Sequence, residues 1–190
     1  MIGMPQLREG DFVPALQLTD IHGQSVSVPS RSSRYVHLEF RRYAGCPVCN
    51  LHLRTMARSA KLFADAGILS VVVVASDDKP VLDQMGALPF HVVADPARKI
   101  YDQFGVTTSP AALLAPAALG SAMKAMVTGA SNMFVGVEGD NLFLLPAEFL
   151  IGPSGKIVAC KYARHAADHW NPHELLALAG PGSDRESRAS

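Results

Sequence analysis

Two cysteines with two residues between them, in the run Arg41-Arg42-Tyr43-Ala44-Gly45-Cys46-Pro47-Val48-Cys49, are the groups in this chain best suited to chemistry. A pair at that spacing can close a small disulfide ring and reopen it if one thiol ionises near neutral pH. The N–H groups and dipole at a helix start stabilise a thiolate, and adjacent guanidinium charge does the same. Arg41 and Arg42 precede the pair, and Pro47 suits the first position of a helix, where its missing N–H is harmless. This puts Cys46 at a helix entrance and Cys49 one turn inside, so the first thiol is expected to be the more exposed and the second partly covered. The competing readings are half of a zinc site and two buried hydrophobes. A structural zinc site takes about four ligands, and the chain has no second Cys-x-x-Cys; neither metal nor cofactor is expected. Cys160, on the apolar side of a strand pattern, reads as a buried, inert thiol.

The elements that must hold this corner can be followed along the chain. Gly10 to Leu18 alternates apolar and polar residues, turns through Asp20 to Gly23 and resumes at Val26 and Val28, which predicts an N-terminal β-hairpin with Pro14 confined to an edge. Tyr35 to Phe40 is a strand with Val36, Leu38 and Phe40 on one face, and it delivers the chain to the cysteines. Leu53, Met56, Ala57, Ala60 and Phe63 then form a helical stripe up to Gly67. The near-continuous apolar run from Ile68 to Ala75 predicts a central parallel strand covered on both faces. A short helix around Val81 to Met85, a strand at Phe90 to Ala94 and a helix opened by Asp95-Pro96 follow. Val106 to Gly139, rich in alanine, glycine and methionine, reads as an insertion of about residues 106–140. Ala147 to Ile151 and Lys156 to Cys160 form a terminal hairpin, and Asn171-Pro172-His173-Glu174 opens a last helix. The expectation is one α/β domain over residues 1–180, a central mixed sheet flanked by helices, with a disordered tail at 181–190.

Composition excludes several classes. Lysine plus arginine equals aspartate plus glutamate, 17 of each, so there is no bulk charge to draw the chain to nucleic acid or an anionic membrane. No apolar run approaches the ~20 residues of a membrane helix. Met1 to Asp11 has neither the basic start nor the apolar stretch of a secretory signal, and a cytoplasmic location is expected. In a reducing compartment a cysteine pair is more often catalytic or metal-binding than structural.

Other residues have both a functional and an ordinary reading. Arg41 and Arg42 either lower a cysteine pKa and attract an oxygen anion or are solvated surface charge. His165, His169 and His173 repeat at four-residue spacing, as metal ligands on one helix face would, but Asn171-Pro172 interrupts that helix, and surface histidines are expected. Glu148 enters an apolar strand beside Pro146; it reads as a proton-handling residue or, more simply, as one at an edge or facing solvent.

The order of elements resembles the peroxiredoxin branch of the thioredoxin fold. Gly10 to Val28 is similar to the opening Gly-x-x-x-Pro-x-x-x-Leu-x-Asp-x-x-Gly, Phe90 to Val106 to the later aspartate-containing strand and helix, and Phe149 to Ile157 to the hairpin Phe-x-Ile-x-Pro-x-Gly-x-Ile. With Arg41-Arg42 and Val137-Glu138-Gly139-Asp140, the chain most resembles the peroxiredoxin-like members of the alkyl hydroperoxide reductase and thiol-specific antioxidant (AhpC/TSA) family. In the family pattern Pro-x-x-x-Thr/Ser-x-x-Cys the last residue attacks peroxide. Here Arg42 replaces the proline, Cys46 the hydroxyl residue, and Cys49 matches the peroxidatic cysteine. The family's peroxide-orienting arginine has no counterpart: Pro146 falls at that place, where thioredoxins hold a cis-proline, so Leu145–Pro146 is the candidate cis bond.

The resemblance implies a thiol-dependent antioxidant oxidoreductase that reduces hydroperoxides or disulfides through a Cys46/Cys49 cycle. Arg42, Tyr43, Pro47, Pro146 and Glu148 are its supporting positions, and a thioredoxin- or glutaredoxin-type protein its reductant. In a peroxidase Cys49 attacks and Cys46 resolves; in a protein disulfide reductase the roles reverse. A rival of another class is a non-catalytic redox sensor or partner-binding module. A homodimer is suggested by the resemblance alone.

Overall fold

The computed structural model describes residues 5–109, 127 and 143–180. The strand predicted from Val36, Leu38 and Phe40 is the middle of the fold. This strand, β3 (Tyr35–Arg41), follows the hairpin strands β1 (Leu16–Thr19) and β2 (Ser25–Val28), which form a separate antiparallel pair. β3 pairs in parallel with β4 (Ile68–Val74), and β4 pairs in parallel with β5 (His91–Ala94). On its other side β3 pairs antiparallel with β6 (Ala147–Ile151), which pairs antiparallel with β7 (Ile157–Tyr162). The sheet order is therefore β5-β4-β3-β6-β7.

Among the described residues the helices with defined bounds are α1 (Pro47–Arg58), α2 (Ala60–Asp65), α3 (Asp78–Met85), α4 (Lys99–Gln103) and α5 (Pro172–Ala179). The helical stripe expected to run unbroken to Gly67 is divided at Ser59. The turn after α2 needs a glycine: Gly67 has φ +72°, and a Cβ there would lie 2.9 Å from the Cβ of Arg34. The first hairpin strand is shorter than the alternation suggested, and Pro14, which cannot donate a ladder hydrogen bond, lies outside it.

Every residue of β3 is buried, so both of its faces are covered. Val36, Leu38 and Phe40 enter the larger core with Val71, Val73, Tyr101, Phe104, Phe149 and Ile151. Phe40 meets Tyr101, Phe104 and Phe149 at ring separations of 5.0, 5.1 and 5.8 Å, contacts worth about 0.5–1.5 kcal/mol each beyond the area they bury. The Tyr101 hydroxyl lies against the carbonyls of Arg41 and Val73, fixing the carboxyl ends of β3 and β4 side by side. On the opposite face Tyr35 packs with Met56 of α1, Phe63 of α2, Trp170 just before α5 and Leu175 within it. Side chains alternate along a strand, so His37, Glu39 and Arg41 share this second, helix-covered face.

Local signals read from sequence have their expected partners. Asp95 accepts the N–H groups of Lys99 and Ile100 at the start of α4. Asn171 and Glu174 form a reciprocal capping box on α5, with Pro172 in its first turn. Of the expected insertion, residues 106–109 are described: Ser109 N–H donates to Phe143 O, and Leu145 N–H to Thr107 O. The rest of that segment, and the tail at 181–190, lie outside the described residues. Among the described residues no helix is long and apolar enough to cross a membrane.

Candidate active site

The site begins where β3 ends. After Arg41 the chain makes a tight corner in which Cys46 N–H donates to Tyr43 O at 3.1 Å, and Asn50 Nδ2 donates to Ala44 O at 2.8 Å. Ala44 N–H donates to the Ser76 hydroxyl beyond β4 at 3.0 Å, anchoring the corner to the sheet. Cys46 is the N-cap of α1: its carbonyl accepts the Asn50 N–H at 2.9 Å, and its sulfur accepts the Cys49 N–H at 3.4 Å. Pro47 stands in the first turn, as its lack of an N–H allows. The Cys46 and Cys49 sulfurs are 2.6 Å apart, and Arg42 Nη1 is 3.7 Å from Cys46 Sγ.

Both cysteines are fully buried. The expectation that Cys46 would be the more exposed is therefore corrected: Tyr43 and Val48, with Ala167 from the segment after β7, close over the pair. Arg42 lies over the Tyr43 ring at 5.4 Å and is buried as well. Burial opposes ionisation of both thiols, but with unequal outcomes. For Cys49 the hydrogen bond with Cys46 and the charges of Arg42, Arg41 and His169 outweigh burial and bring the thiol down to about 5. For Cys46 burial and the negative charge of its neighbour win, and it is pushed well above the ordinary thiol range. Two thiols in contact titrate as a unit, and this unit gives up its first proton easily and its second with difficulty.

Beneath the pair lies a buried charged network that sequence reading missed. Glu148 is opposite Glu39 in the β3–β6 register, and both are 1% exposed. The expectation that Glu148 faces solvent or an edge is thus corrected, because β6 lies between β3 and β7 and its inner face is covered. Arg41 bonds Glu39 through Nε at 2.8 Å and again through Nη2, which is also 3.5 Å from Glu148 Oε1. His37 sets one ring nitrogen 3.1 Å from Glu39 Oε1 and the other 3.4 Å from Glu148 Oε2. Trp170 N–H donates to Glu148 Oε2 at 3.3 Å. Burial works against the Glu148 carboxylate, but His169, His37 and Arg41 hold its pKa well below the usual carboxylate range.

His169, expected at the surface, is instead 5% exposed at the side chain and belongs to this network. Its Nδ1 is 2.6 Å from Arg41 Nη1 and 3.5 Å from Glu148 Oε1. Its ring lies 4.5 Å from that of His52 of α1 at a tilt of 35°, and the Nε2 atoms of both rings are buried without a hydrogen-bond partner among the described residues. Burial, then Arg41 and His169, push His52 well below the ordinary imidazole value, so it is neutral. The other two histidines of the four-residue repeat, His165 and His173, do not join it, and His173 is exposed. A surface reading failed for His169 because the segment between β7 and α5 folds inward over the cysteines. The available signal was polar residues at 37, 39 and 41, every second position of the strand that ends at the cysteine corner.

Two further expectations can be placed. Leu145–Pro146 is trans; among the described residues the cis bond is Val28–Pro29. The chain there is held by Leu145 N–H donating to Thr107 O and Pro146 O accepting the Ala163 N–H. Cys160 is half-buried, 3.7 Å from Leu7 O and remote from the pair in the sheet. Among the described residues no group of three or more histidine, cysteine, aspartate or glutamate side chains is placed to hold a metal ion.

Residues 10–160 match the model of the AhpC/TSA family. The chain belongs to the AhpC/TSA family. Thiol-dependent redox chemistry is the class of reaction that membership brings. Solved structures share the family's thioredoxin-like fold at low identity. Peroxidoxin BcpB from Mycobacterium tuberculosis matches with a TM-score of 0.66 and 18% identity, over 92% of this chain and 97% of that one. A protein assigned as the thiol:disulfide interchange protein DsbE from Chlorobium tepidum matches at 0.59 and 20%, over 92% and 100%. A peroxiredoxin-like protein from Aquifex aeolicus matches at 0.60 and 16%, over 93% and 88%. No curated protein sequence matches the chain.

Proposed function

We propose that this AhpC/TSA protein is a thiol peroxidase whose Cys49 attacks a hydroperoxide and whose Cys46 resolves the product as a Cys46–Cys49 disulfide. The observation that carries this reading is the pairing of a readily ionised Cys49 with a protonated Cys46 in direct contact, both sealed from solvent. A hydroperoxide is small enough to reach a buried sulfur, whereas a protein disulfide needs that sulfur at the surface. The register with the family's peroxidatic cysteine supports the same assignment.

In the first step the Cys49 thiolate bonds to the outer peroxide oxygen, the O–O bond breaks, and the alkoxide leaves with a proton as alcohol, giving a sulfenic acid. Cys46 then attacks that sulfur, the hydroxyl leaves as water, and the disulfide closes. Arg41 and Arg42 compensate the thiolate, Pro47 and Tyr43 shape the corner, and ionised Glu148 fixes Arg41. Pro146 leads the chain into the strand that carries Glu148. An external dithiol protein of thioredoxin or glutaredoxin type reopens the ring. Reduction of disulfides is the second reading, favoured by the place of Cys46 at the N-cap of α1, where the first thiol of such a pair commonly attacks.

The test is the rate of thiol loss when anaerobically reduced protein meets a small excess of hydrogen peroxide, with mass spectrometry of the product. Loss much faster than for a free thiol, ending in a Cys46–Cys49 disulfide, is expected. Loss no faster than for a free thiol, together with reduction of insulin, would transfer the assignment to disulfide exchange.

A further inference from the structure

The cysteine pair is sealed, yet a dithiol cycle requires that an outside thiol reach it. To reopen the disulfide, a thiolate of the external dithiol must bond to one of its sulfurs, and exchange of this kind needs direct access to the sulfur attacked. Both cysteines are fully buried, and their sulfurs are already in contact, so closing the ring leaves them under the same cover. Among the described residues, the apolar cluster of Tyr43, Cys46, Val48 and Cys49 receives one residue from outside the corner, Ala167. What holds Ala167 in place therefore decides what reaches the pair.

Ala167 lies in a strap, residues 164–168, between two fixed ends. On one side Ala163 N–H donates to Pro146 O at 2.9 Å; on the other Trp170 is buried, with its N–H on Glu148. Between them the strap bonds mostly to itself. Asp168 N–H donates to His165 O at 3.1 Å, and Ala167 N–H to His165 Nδ1 at 3.3 Å. Arg164 donates to Asp168 Oδ2 through its backbone N–H at 3.1 Å and its Nε at 3.2 Å. Among the described residues, the one polar tie from the strap to the sheet is the ion pair of Asp168 with Lys161 of β7, at 3.2 Å. These side chains are 13% and 27% exposed, which shelters the pair from full screening by solvent. Burial opposes the Asp168 carboxylate, but Arg164 and Lys161 hold its pKa below the usual carboxylate range. The remaining hold is apolar and small: the methyl groups of Ala166, fully buried, and of Ala167.

We propose that the 164–168 strap is a gate over the cysteine pair, latched by Asp168 on Lys161: closed, it passes hydrogen peroxide, and it lifts to admit the dithiol that reopens the disulfide. The inference rests on the dithiol reading of Cys46 and Cys49. With the strap lifted, a thiolate of the dithiol bonds to one sulfur of the pair, the S–S bond breaks, and the other sulfur leaves as a thiolate. The second thiol of the reductant then attacks the mixed disulfide, and the reductant departs as its own disulfide. Two electrons pass to the pair. Of the two protons of the dithiol, one settles on Cys46 and one goes to solvent, with Cys49 left as the thiolate. Helix α1 keeps its N-cap throughout, because the strap makes the entrance. A bulky hydroperoxide meets the same gate as a dithiol, so Asp168 also sets the size of substrate admitted.

The experiment compares Asp168→Ala and Lys161→Gln with the unaltered full-length protein, after mass spectrometry has shown that the Cys46–Cys49 disulfide forms. Freeing the latch should speed disulfide reduction by dithiothreitol, and oxidation by cumene hydroperoxide, by roughly three- to tenfold, between the worth of an exposed ion pair and that of a charged hydrogen bond. Oxidation by hydrogen peroxide should be unchanged. Equal acceleration of all three reactions, or of none, overturns the inference. Hydrogen exchange in the unaltered, oxidised protein gives a second readout that needs no variant. The Ala167 and Asp168 amides should exchange by local opening, faster than those of β4 and faster than those of Cys49 and Asn50 at the start of α1. Strap amides as slow as those of β4, or opening confined to α1, overturn the gate. Oxidation that yields no Cys46–Cys49 disulfide would instead remove the dithiol reading, and the gate with it.

Discussion

Glu39 and Glu148 stand directly opposite one another across the β3–β6 pair, both buried, with Arg41 bonded to each. Two carboxylates this close and this dry repel one another unless a cation lies between them. Arg41 is that cation, and it also lowers the pKa of Cys49. The charge that keeps the sheet folded is therefore the charge that activates the thiol.

Removal of that cation should be costly. Arg41→Gln removes the guanidinium bonded to both buried carboxylates, and breaking a buried pair from one side typically costs about 3–5 kcal/mol. Urea unfolding of the reduced protein should show a loss of that order at neutral pH, recovered in part by Glu39→Gln in the same chain. A loss under about 1 kcal/mol, the range of exposed pairs, would contradict the network.

The two cysteines should part company on substitution. Cys46→Ser keeps the attacking thiol, so peroxide should still consume Cys49 and leave a sulfenic acid trappable by dimedone. Cys49→Ser should abolish rapid peroxide consumption. The reverse pattern, with Cys46 the sulfur that is oxidised first, would assign attack to Cys46 and favour the disulfide-reductase reading.

The reduced protein should show a thiolate that appears, by ultraviolet absorbance, with a midpoint near the value of about 5 for Cys49 and is absent from Cys49→Ser. An unfolded thiol ionises near about 8.5, so the native interactions of the thiolate stabilise the fold fully above that pH. Their contribution fades as pH falls from there through about 5. Reduced protein should thus gain stability relative to Cys49→Ser as pH rises across this window. Parallel pH profiles for the two would mean that Cys49 is not specially ionised.

The capping box of α5 supplies a control remote from the sulfurs. Asn171→Ala removes the acceptor of the His173 and Glu174 N–H groups and should cost about 1 kcal/mol. Because Trp170 and His169 immediately precede this cap, the His169 contact with Arg41 should loosen while peroxide-dependent disulfide formation persists. Thermal unfolding and the peroxide assay measured on the same sample would separate the two effects.

The sequence by itself determined the corner and the elements that hold it. The strand before Cys46, the helix after it, the buried run of β4, the hairpin of β6 and β7 and the Asn171-Pro172-His173-Glu174 cap are all local patterns, set by side-chain period and by which residues satisfy a helix end. Alternation along β3 likewise stated that His37, Glu39 and Arg41 share a face. It could not state what covers that face. Polar alternation ordinarily means water, and only the packing of α1, α5 and the 163–170 segment turned that face into an enclosed charged network. The same long-range packing buried His169, sealed Cys46 and put Glu148 opposite Glu39. Each depends on contacts between residues about a hundred positions apart, and nothing in a local period encodes which distant segment will close over a strand.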